Sequence, residues 1–235
     1  MPRVARFAPG GLVYHVLNRA VARLPLFRNE EDYAAFERVL LEAHERHPTR
    51  ILAWCIMRNH WHFVIWPRQD GELTAFMRWL AHTHVMRWHV AHKTVGCGHL
   101  YQGRFKSFPV ETDEHFLTVC RYVERNALTA KVVQRAEDWR WGSLWVRRHG
   151  PAKLKALLSD WPADRPRLWV REVNEPMSNK EMEAMRTSMT RNRPFGSEAW
   201  QRRVANRLNL MHTLRSEGRP KKRKTTSEKV GKHKN

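Results

Sequence analysis

Cysteine is scarce in this sequence and is not arranged in pairs. Cys55, Cys97 and Cys120 are the three cysteines among 235 residues, and no two of them form a C-x-x-C pair. An odd and dispersed set argues against a disulfide scaffold and against a structural zinc site, and it suits a reducing compartment. The expected localisation is therefore cytoplasmic.

Long apolar runs are also missing. Hydrophobic residues make up 42% of the chain, but no segment approaches the roughly 18 consecutive apolar residues that a membrane-spanning helix requires. The opening segment MPRVARFAPGG lacks the apolar core of a secretion signal. We therefore expect a globular protein that is not exported and has no membrane partner.

Acidic residues are few relative to basic ones. The chain has 43 Lys and Arg against 23 Asp and Glu, which gives a formal net charge of +20 and an isoelectric point near 10.8. A field of this sign attracts polyanions, and nucleic acid is the commonest polyanion in a cytoplasm. Eleven tryptophans add surfaces on which unpaired bases could stack. Surface arginines and core tryptophans would give the same composition, but the net charge itself predicts contact with nucleic acid.

Part of this positive charge is concentrated near the C-terminus. From residue 215 onward the chain holds nine Lys or Arg and two Glu. This composition predicts a basic tail, residues 215–235, that is disordered in isolation. Its GRPKKRK segment, with Arg219, Lys221 and Lys222, is similar to arms that lie along a phosphate backbone or in a minor groove. Generic electrostatic attraction is the simpler interpretation.

Hydrophobic spacing predicts an alternation of strands and helices in the first part of the chain. Residues 10–21 form a β-rich run, and NEEDYAAFERVLLEAHERH has apolar residues at helical spacing behind an acidic first turn. The runs RILAWCIM and HWHFVIW are separated only by Arg58 and Asn59, which predicts a hairpin. A second helix at about 72–92, a short edge strand at RFKSFPVE and a third helix at about 112–130 follow.

The order strand, helix, two strands, helix, strand, helix indicates an α+β protein with a mostly antiparallel sheet and helices packed on one face. The composition becomes polar after this region. Residues 150–214 are expected to form a helical C-terminal extension, with a capping box at Ser178 and Glu181. The expected organisation is one domain over residues 1–149, then the extension and the basic tail.

The run HWHFVIW contains two histidines on either side of a tryptophan. Side chains alternate across a strand, so His60 and His62 point to one face and Trp61 points to the other, where it can join the core. Two neutral imidazoles that converge on one face form half of a metal site. Unrelated histidines on a solvated face would give the same pattern. A second H-x-H, at residues 82–84, falls on a predicted helix, where positions i and i+2 diverge.

The third predicted helix offers a partner for the two histidines. Tyr122 is followed one turn later, on the same face, by Asn126. A phenol beside an amide oxygen could supply a nucleophile and a further metal ligand, although a lone helical tyrosine is more often packed against a sheet. A zinc hydrolase is a competing interpretation. It lacks local ligands, because the residues after His62 are FVIWP, but it could use distant ones.

Several segments, in this order, resemble a known family. MRNHWHFVI resembles the His-hydrophobic-His motif of the IS200-like single-tyrosine HUH transposases. GHLYQGRFKSFPV, RYVERNALTAKVV and WRWGSL resemble the REP-associated tyrosine transposase branch of that family. The resemblance covers roughly residues 5–147, and RNRPFGSEAW with the basic tail resembles the C-terminal extension of the same branch.

The resemblance implies a ferredoxin-like HUH endonuclease domain over residues 1–149 that nicks single-stranded DNA beside a hairpin. His60, His62 and Asn126 are implied to hold a divalent metal, Mg²⁺ or Mn²⁺, and Tyr122 is implied to form a 5′-phosphotyrosine intermediate. The implied partner is single-stranded or hairpin DNA. The implied outcome is DNA transposition or the processing of REP-like repeats, by a monomer rather than a dimer.

Polar residues before the third helix are further candidates. Arg104 and Lys106 are expected on the strand that precedes this helix, near the DNA backbone, with Gln102 as a candidate base contact; a solvated edge strand would explain them equally well. The chain departs from the family pattern at Arg58 and Ala127, where relatives often have proline, but neither change removes a chemical group. A non-catalytic basic DNA-binding protein or repressor on the same fold is the alternative function.

Overall fold

The computed structural model describes residues 8–215, so the predicted DNA contacts Arg219, Lys221 and Lys222 lie outside the described residues. Within this range the strands are β1 (Val13–Arg19), β2 (Arg50–Met57), β3 (His60–Trp66) and β4 (Lys106–Val110). The α-helices of the same range are α1 (Glu30–Arg46), α2 (Glu72–Ala91), α3 (Glu114–Glu124), α4 (Asn126–Thr129), α5 (Ser143–His149), α6 (Ala152–Lys155), α7 (Trp169–Asn174), α8 (Asn179–Arg191) and α9 (Glu198–Arg207). No helix in this part of the chain has the length and hydrophobicity needed to cross a membrane.

The four strands form one antiparallel sheet in the order β2-β3-β1-β4. With the chain order β1-α1-β2-β3-α2-β4, this is the ferredoxin-like arrangement. The predicted α+β class with an antiparallel sheet is therefore confirmed. The hairpin between β2 and β3 turns at Arg58 and Asn59, as the sequence predicts. β4 contains Pro109 and lies at an edge of the sheet, where a missing N–H is tolerated.

Helices cover both faces of the sheet, so the prediction that they pack on one face is wrong in this respect. α1 and α2 pack on the face that carries Trp61 and Phe63, whereas α3, α7 and α8 pack on the face that carries Cys55 and Phe108. The physical reason is that β2 and β3 are buried at nearly every position rather than at alternate positions. A sheet that is apolar on both faces requires cover on both.

Helices α7 and α8 of the C-terminal extension pack on the α3 side of the sheet, whereas Leu154 of α6 lies in the core beneath α1 and α2. Trp169 of α7 and Met185 of α8 are buried in the same core as the apolar residues of α3. The capping box predicted at Ser178 and Glu181 is present at the start of α8, with each residue bonded to the backbone N–H of the other. The extension therefore completes the cover of this face.

The third predicted helix is present as two consecutive helices. α3 ends at Glu124 and α4 begins at Asn126, while Arg125 between them has helical backbone angles. The Arg125 guanidinium hydrogen-bonds to the backbone carbonyls of Val173 and Asn174 at the end of α7. The interruption thus falls where the extension contacts the helix, one turn beyond Tyr122.

A buried hydrogen-bond chain joins β3 to α2. The Trp61 indole N–H donates to the Tyr101 hydroxyl at 2.9 Å, and this hydroxyl lies 2.7 Å from Nδ1 of His84. Because the indole can only donate, the hydroxyl is free to donate to His84, whose ring stacks on Phe27. Burial, with a smaller contribution from His92, lowers the pKa of His84 to about 3. His84 is therefore a neutral acceptor in the folded protein.

We expect acid to destabilise this fold partly through His84. A histidine whose pKa is lowered on folding contributes stability that is present above its unfolded pKa of about 6.5 and is lost as the pH falls below that value. When measured by urea titration, the free energy of unfolding of the parent protein should be lower at about pH 4.5 than at about pH 7. This difference should be smaller in His84→Leu. At neutral pH, His84→Leu should be about 1–3 kcal/mol less stable, because the Tyr101 hydroxyl loses its acceptor.

The control for this experiment is His82→Leu, since His82 lies on the exposed side of α2. This control should keep the pH dependence of the parent protein. An acid-induced loss in His84→Leu as large as in the parent would contradict the assigned role of His84.

Candidate metal and nucleophile site

The four residues predicted for the site meet on the α3 face of the sheet. The ring centroids of His60 and His62 are 5.0 Å apart, and the Tyr122 ring lies 5.7 Å from the His62 ring and nearly perpendicular to it. Asn126 lies within hydrogen-bonding reach of both His60 and Tyr122. Trp61 is fully buried on the opposite face. Strand alternation and helical spacing together account for this convergence.

Strand register brings a positive charge to the same place. In the antiparallel pair of β1 and β3, Arg19 lies opposite His60, and Leu17 lies opposite His62. Residues directly opposite each other on antiparallel strands point to the same face. Arg19 therefore lies on the same face as the two histidines, and its charge lowers the pKa of both histidines and of Tyr122.

His62 contacts a third imidazole that the sequence patterns did not reveal. His15 of β1 is fully buried, its ring stacks on His62 with centroids 5.0 Å apart, and its Nε2 lies 3.0 Å from Nδ1 of His62. With the shared proton on Nδ1 of His62, Nε2 of His62 presents a lone pair. This Nε2 is buried and has no hydrogen-bond partner within residues 8–215. An acceptor left in this state fits a metal ligand, because ligating histidines commonly donate their other N–H to a neighbour.

His60 is oriented by its neighbour in the hairpin turn. Nδ1 of His60 lies 2.7 Å from Oδ1 of Asn59, and the amide nitrogen of Asn59 donates to the carbonyl of Arg23. This second bond fixes which end of the amide faces the ring, so Asn59 accepts from Nδ1 of His60. Nε2 of His60 is then the nitrogen that carries a lone pair. His60 and His62 can therefore both offer Nε2 to one ion.

The histidines of the site are neutral at physiological pH. Burial lowers the pKa of His15 to about 3 and, with the charge of Arg19, that of His60 to about 4. Burial, followed by repulsion from the two other histidines, holds the pKa of His62 well below its usual value. Neutral imidazoles are the form that binds metal ions.

The Tyr122 phenol experiences opposing influences. Burial raises its pKa above the ordinary value, whereas its hydrogen bond with Asn126 and the charges of Arg19 and Arg186 lower it. Burial is the largest of these effects, so the phenol is protonated at neutral pH. A cation bound beside it would favour the phenolate, which is the nucleophilic form.

A buried carboxylate anchors the helix that carries Tyr122. Glu124 accepts hydrogen bonds from the Ser143 hydroxyl at 2.6 Å and from the Trp169 indole at 2.7 Å, and the Arg147 guanidinium lies 3.9 Å from it. Burial raises the pKa of Glu124, while Arg147 and these hydrogen bonds lower it. Because these partners belong to α5 and α7, both helices hold α3 in place against the sheet.

A second group of potential metal ligands lies at the start of α3. Glu111, Asp113 and His115 have ligand atoms within 4.8 Å of one another. Asp113 accepts from the backbone N–H of His115 and lies 2.8 Å from its Nδ1, and Glu111 accepts from the backbone N–H of Ser197. These contacts explain the group as the cap of α3, so His60 and His62 provide the better site for an ion.

Gln102, Arg104 and Lys106 line a groove of about 400 Å³ whose walls also include Arg19 and Arg186. β4 begins at Lys106, so the prediction that Arg104 also lies on this strand is wrong; Arg104 belongs to the preceding loop. The backbone N–H of Gln102 donates to the carbonyl of Arg19, which ties this loop to the end of β1. The groove therefore adjoins the site, because the charges of Arg19 and Arg186 both lower the pKa of Tyr122.

We expect His15 to control the binding of a divalent ion through His62. His15→Leu removes the partner of Nδ1 and should lower the affinity for Mn²⁺ about 10–100-fold. His15→Gln retains an acceptor and should retain most of the affinity. Equilibrium dialysis against MnCl₂ measures the effect, and His62→Ala gives the value for a lost ligand. Parent-like affinity in His15→Leu would contradict this role.

Comparison with known proteins gives a family for this arrangement. Residues 10–126, about half of the chain, match the family described as Transposase IS200 like. A solved structure of a REP-associated tyrosine transposase bound to a REP hairpin covers 70% of this chain and 93% of its own, at 17% identity and a TM-score of 0.47. No curated protein matches the chain. The family match ends at Asn126 and includes His15, His60, His62 and Tyr122.

Proposed function

Since the chain belongs to the IS200-like transposase family, we propose that it is a metal-dependent single-stranded DNA endonuclease and strand transferase. The observation that carries the proposal is the convergence of two neutral imidazoles, a phenol and an amide beside a basic groove. The proposed substrate is single-stranded DNA next to a hairpin, as in REP-like repeats. The proposed catalytic domain is residues 1–149, followed by the helical extension (150–214) and the basic tail (215–235).

His60, His62 and Asn126 would hold the divalent ion. Two imidazole nitrogens and an amide oxygen form a mixed donor set that suits Mn²⁺, and Mg²⁺ when water and phosphate oxygens complete it. The free Nε2 of His62 supports this assignment. When bound, such an ion polarises the scissile phosphate and stabilises the negative charge of the transition state.

Tyr122 would be the nucleophile. Its phenolate oxygen forms a bond to phosphorus, and the bond between phosphorus and the 3′-oxygen breaks, which leaves a 5′-phosphotyrosine and a free 3′-OH. Arg19 and Arg186 favour the phenolate by their charge, and Asn126 by a hydrogen bond. The new ester retains the free energy of the phosphodiester, so a different 3′-OH can reverse the reaction at a new junction. This exchange would join strands during transposition or repeat processing.

The groove beside Tyr122 would hold the strand to be cut. Arg104 and Lys106 can neutralise phosphates, and Gln102 can contact a base edge. The basic tail, with Arg219 and Lys221 and Lys222, would add attraction that does not depend on sequence. Because Tyr122 lies against the histidines of its own chain, a monomer would suffice.

We expect Tyr122→Phe to abolish a covalent protein–DNA adduct. The assay uses hairpin DNA labelled at its 3′ end, because a 5′-phosphotyrosine retains the 3′ fragment, with Mn²⁺ and denaturing gel electrophoresis. Tyr33→Phe is the matched control, since Tyr33 is a buried tyrosine in the core on the other face of the sheet. An adduct in Tyr122→Phe would overturn the assignment. Binding without cleavage in the parent, with each divalent ion, would favour the alternative of a non-catalytic DNA-binding protein.

We expect the metal requirement to depend on Asn126. Asn126→Leu should raise the Mn²⁺ concentration for half-maximal nicking about 10–100-fold, and Asn126→Asp, which keeps an oxygen ligand, should raise it less. EDTA should stop nicking, and added Mn²⁺ should restore it. Tightly bound zinc in elemental analysis, together with hydrolysis that survives the loss of Tyr122, would support a zinc hydrolase instead.

A further inference from the structure

Five arginines line one concave surface on the α7 side of α3. This surface, which we call the arginine pocket, encloses about 740 Å³ between the ends of α3 and α5 and helix α7. Its arginines are Arg125, Arg135, Arg148, Arg167 and Arg171. The Tyr122 ring, in contrast, faces β3. The arginine pocket and the groove beside Tyr122 share no lining residue within the described part of the chain.

The arginine pocket has an excess of positive charge. Among the described residues, Glu175 is the one carboxylate that lines the pocket, and it lies 3.9 Å from Arg171. At the border of the pocket, Arg135 donates a hydrogen bond to Glu137. Arg148 and Arg167 are exposed, and within residues 8–215 their guanidinium groups have no hydrogen bond or ion pair. Because like charges held together repel unless an anion is present, this surface favours a bound polyanion.

Part of the arginine pocket is pre-oriented. Arg125 is held by the carbonyls of Val173, at 2.8 Å, and of Asn174, so its guanidinium plane is fixed. Arg148 and Arg167 remain free to adjust. A planar guanidinium binds phosphate through two parallel hydrogen bonds, so one phosphate occupies only one or two arginines. Because Arg148 and Arg167 are both free to bind in this way, beside three further arginines, the surface suits more than one phosphate of a backbone.

We propose that the arginine pocket binds the phosphate backbone of the double-stranded stem of hairpin DNA. The inference rests on the proposed function and deepens it by giving the stem a site separate from the nicked strand. The apolar part of the lining is aliphatic, from Leu128, Leu168 and Val170, and no aromatic ring lines the surface within residues 8–215. Unpaired bases bind on aromatic stacking platforms, which are missing here, whereas a duplex presents its phosphates outward.

The test removes the two free guanidiniums in the double variant Arg148→Gln/Arg167→Gln. Both side chains are exposed, so the fold should be retained. Binding is measured by fluorescence anisotropy over a range of KCl concentrations, with a hairpin oligonucleotide and with an unpaired oligonucleotide of the same length. Affinity for the hairpin should fall about tenfold or more, and the slope of log K against log salt should become shallower by about 2, close to 0.9 for each lost phosphate contact. Affinity for the unpaired oligonucleotide should stay at the parent level.

The matched control is Arg38→Gln/Arg202→Gln, which removes two exposed charges from α1 and α9. It should affect the hairpin and the unpaired oligonucleotide alike. Equal losses for both DNAs in the Arg148→Gln/Arg167→Gln variant, or losses no larger than in the control, would overturn the proposal.

All binding measurements use a Tyr122→Phe background, so that nicking does not disturb them. If the parent protein forms no adduct but the hairpin-specific loss is observed, the nicking proposal fails and the stem site stands. If adducts form and no hairpin-specific loss appears, the stem site fails and the nicking proposal stands.

Discussion

β3 lies in the interior of the sheet with helices on both of its faces, so each of its side chains must fit one of two cores. Trp61 and Phe63 fill the core beneath α1 and α2. His60 and His62 face α3 instead, where burying a polar ring without partners is costly. His15 satisfies one nitrogen of His62, and Nε2 of the same ring is left without a partner within residues 8–215. A buried polar atom without a partner is typical of a ligand-binding site.

The parts of the structure that depend on nearby residues could be predicted from the sequence. The hairpin at Arg58 and Asn59 and the capping box at Ser178 rest on spacings of a few residues, and both are present. The position of His15 could not be predicted, because it contacts a residue 47 positions away through a strand register that no local pattern encodes. The placement of helices on both faces was missed for a related reason. Helical spacing shows that a face is apolar but does not show which side of the sheet it covers.

The break between α3 and α4 has the same origin. The spacing of apolar residues predicts one helix, but Arg125 turns its guanidinium to the carbonyls of α7, which is some fifty residues later in the chain. Glu124, next to it, accepts from Trp169 of that same helix. Helix α7 of the extension thus holds the end of α3 through Glu124 and Arg125, while the Tyr122 ring lies against His62. Tyr122, the proposed nucleophile, and Arg125, which lines the arginine pocket, are therefore only three residues apart at the end of α3.

The raised pKa of Tyr122 has a consequence for the proposed nicking reaction. A protonated phenol is a poor nucleophile, and the burial that raises the pKa of Tyr122 increases the free energy needed to form its phenolate. Its arginine neighbours reduce the penalty of ionisation without removing it. For the proposed reaction, this balance means that Tyr122 would become reactive only when a bound cation and a correctly placed DNA strand are both present.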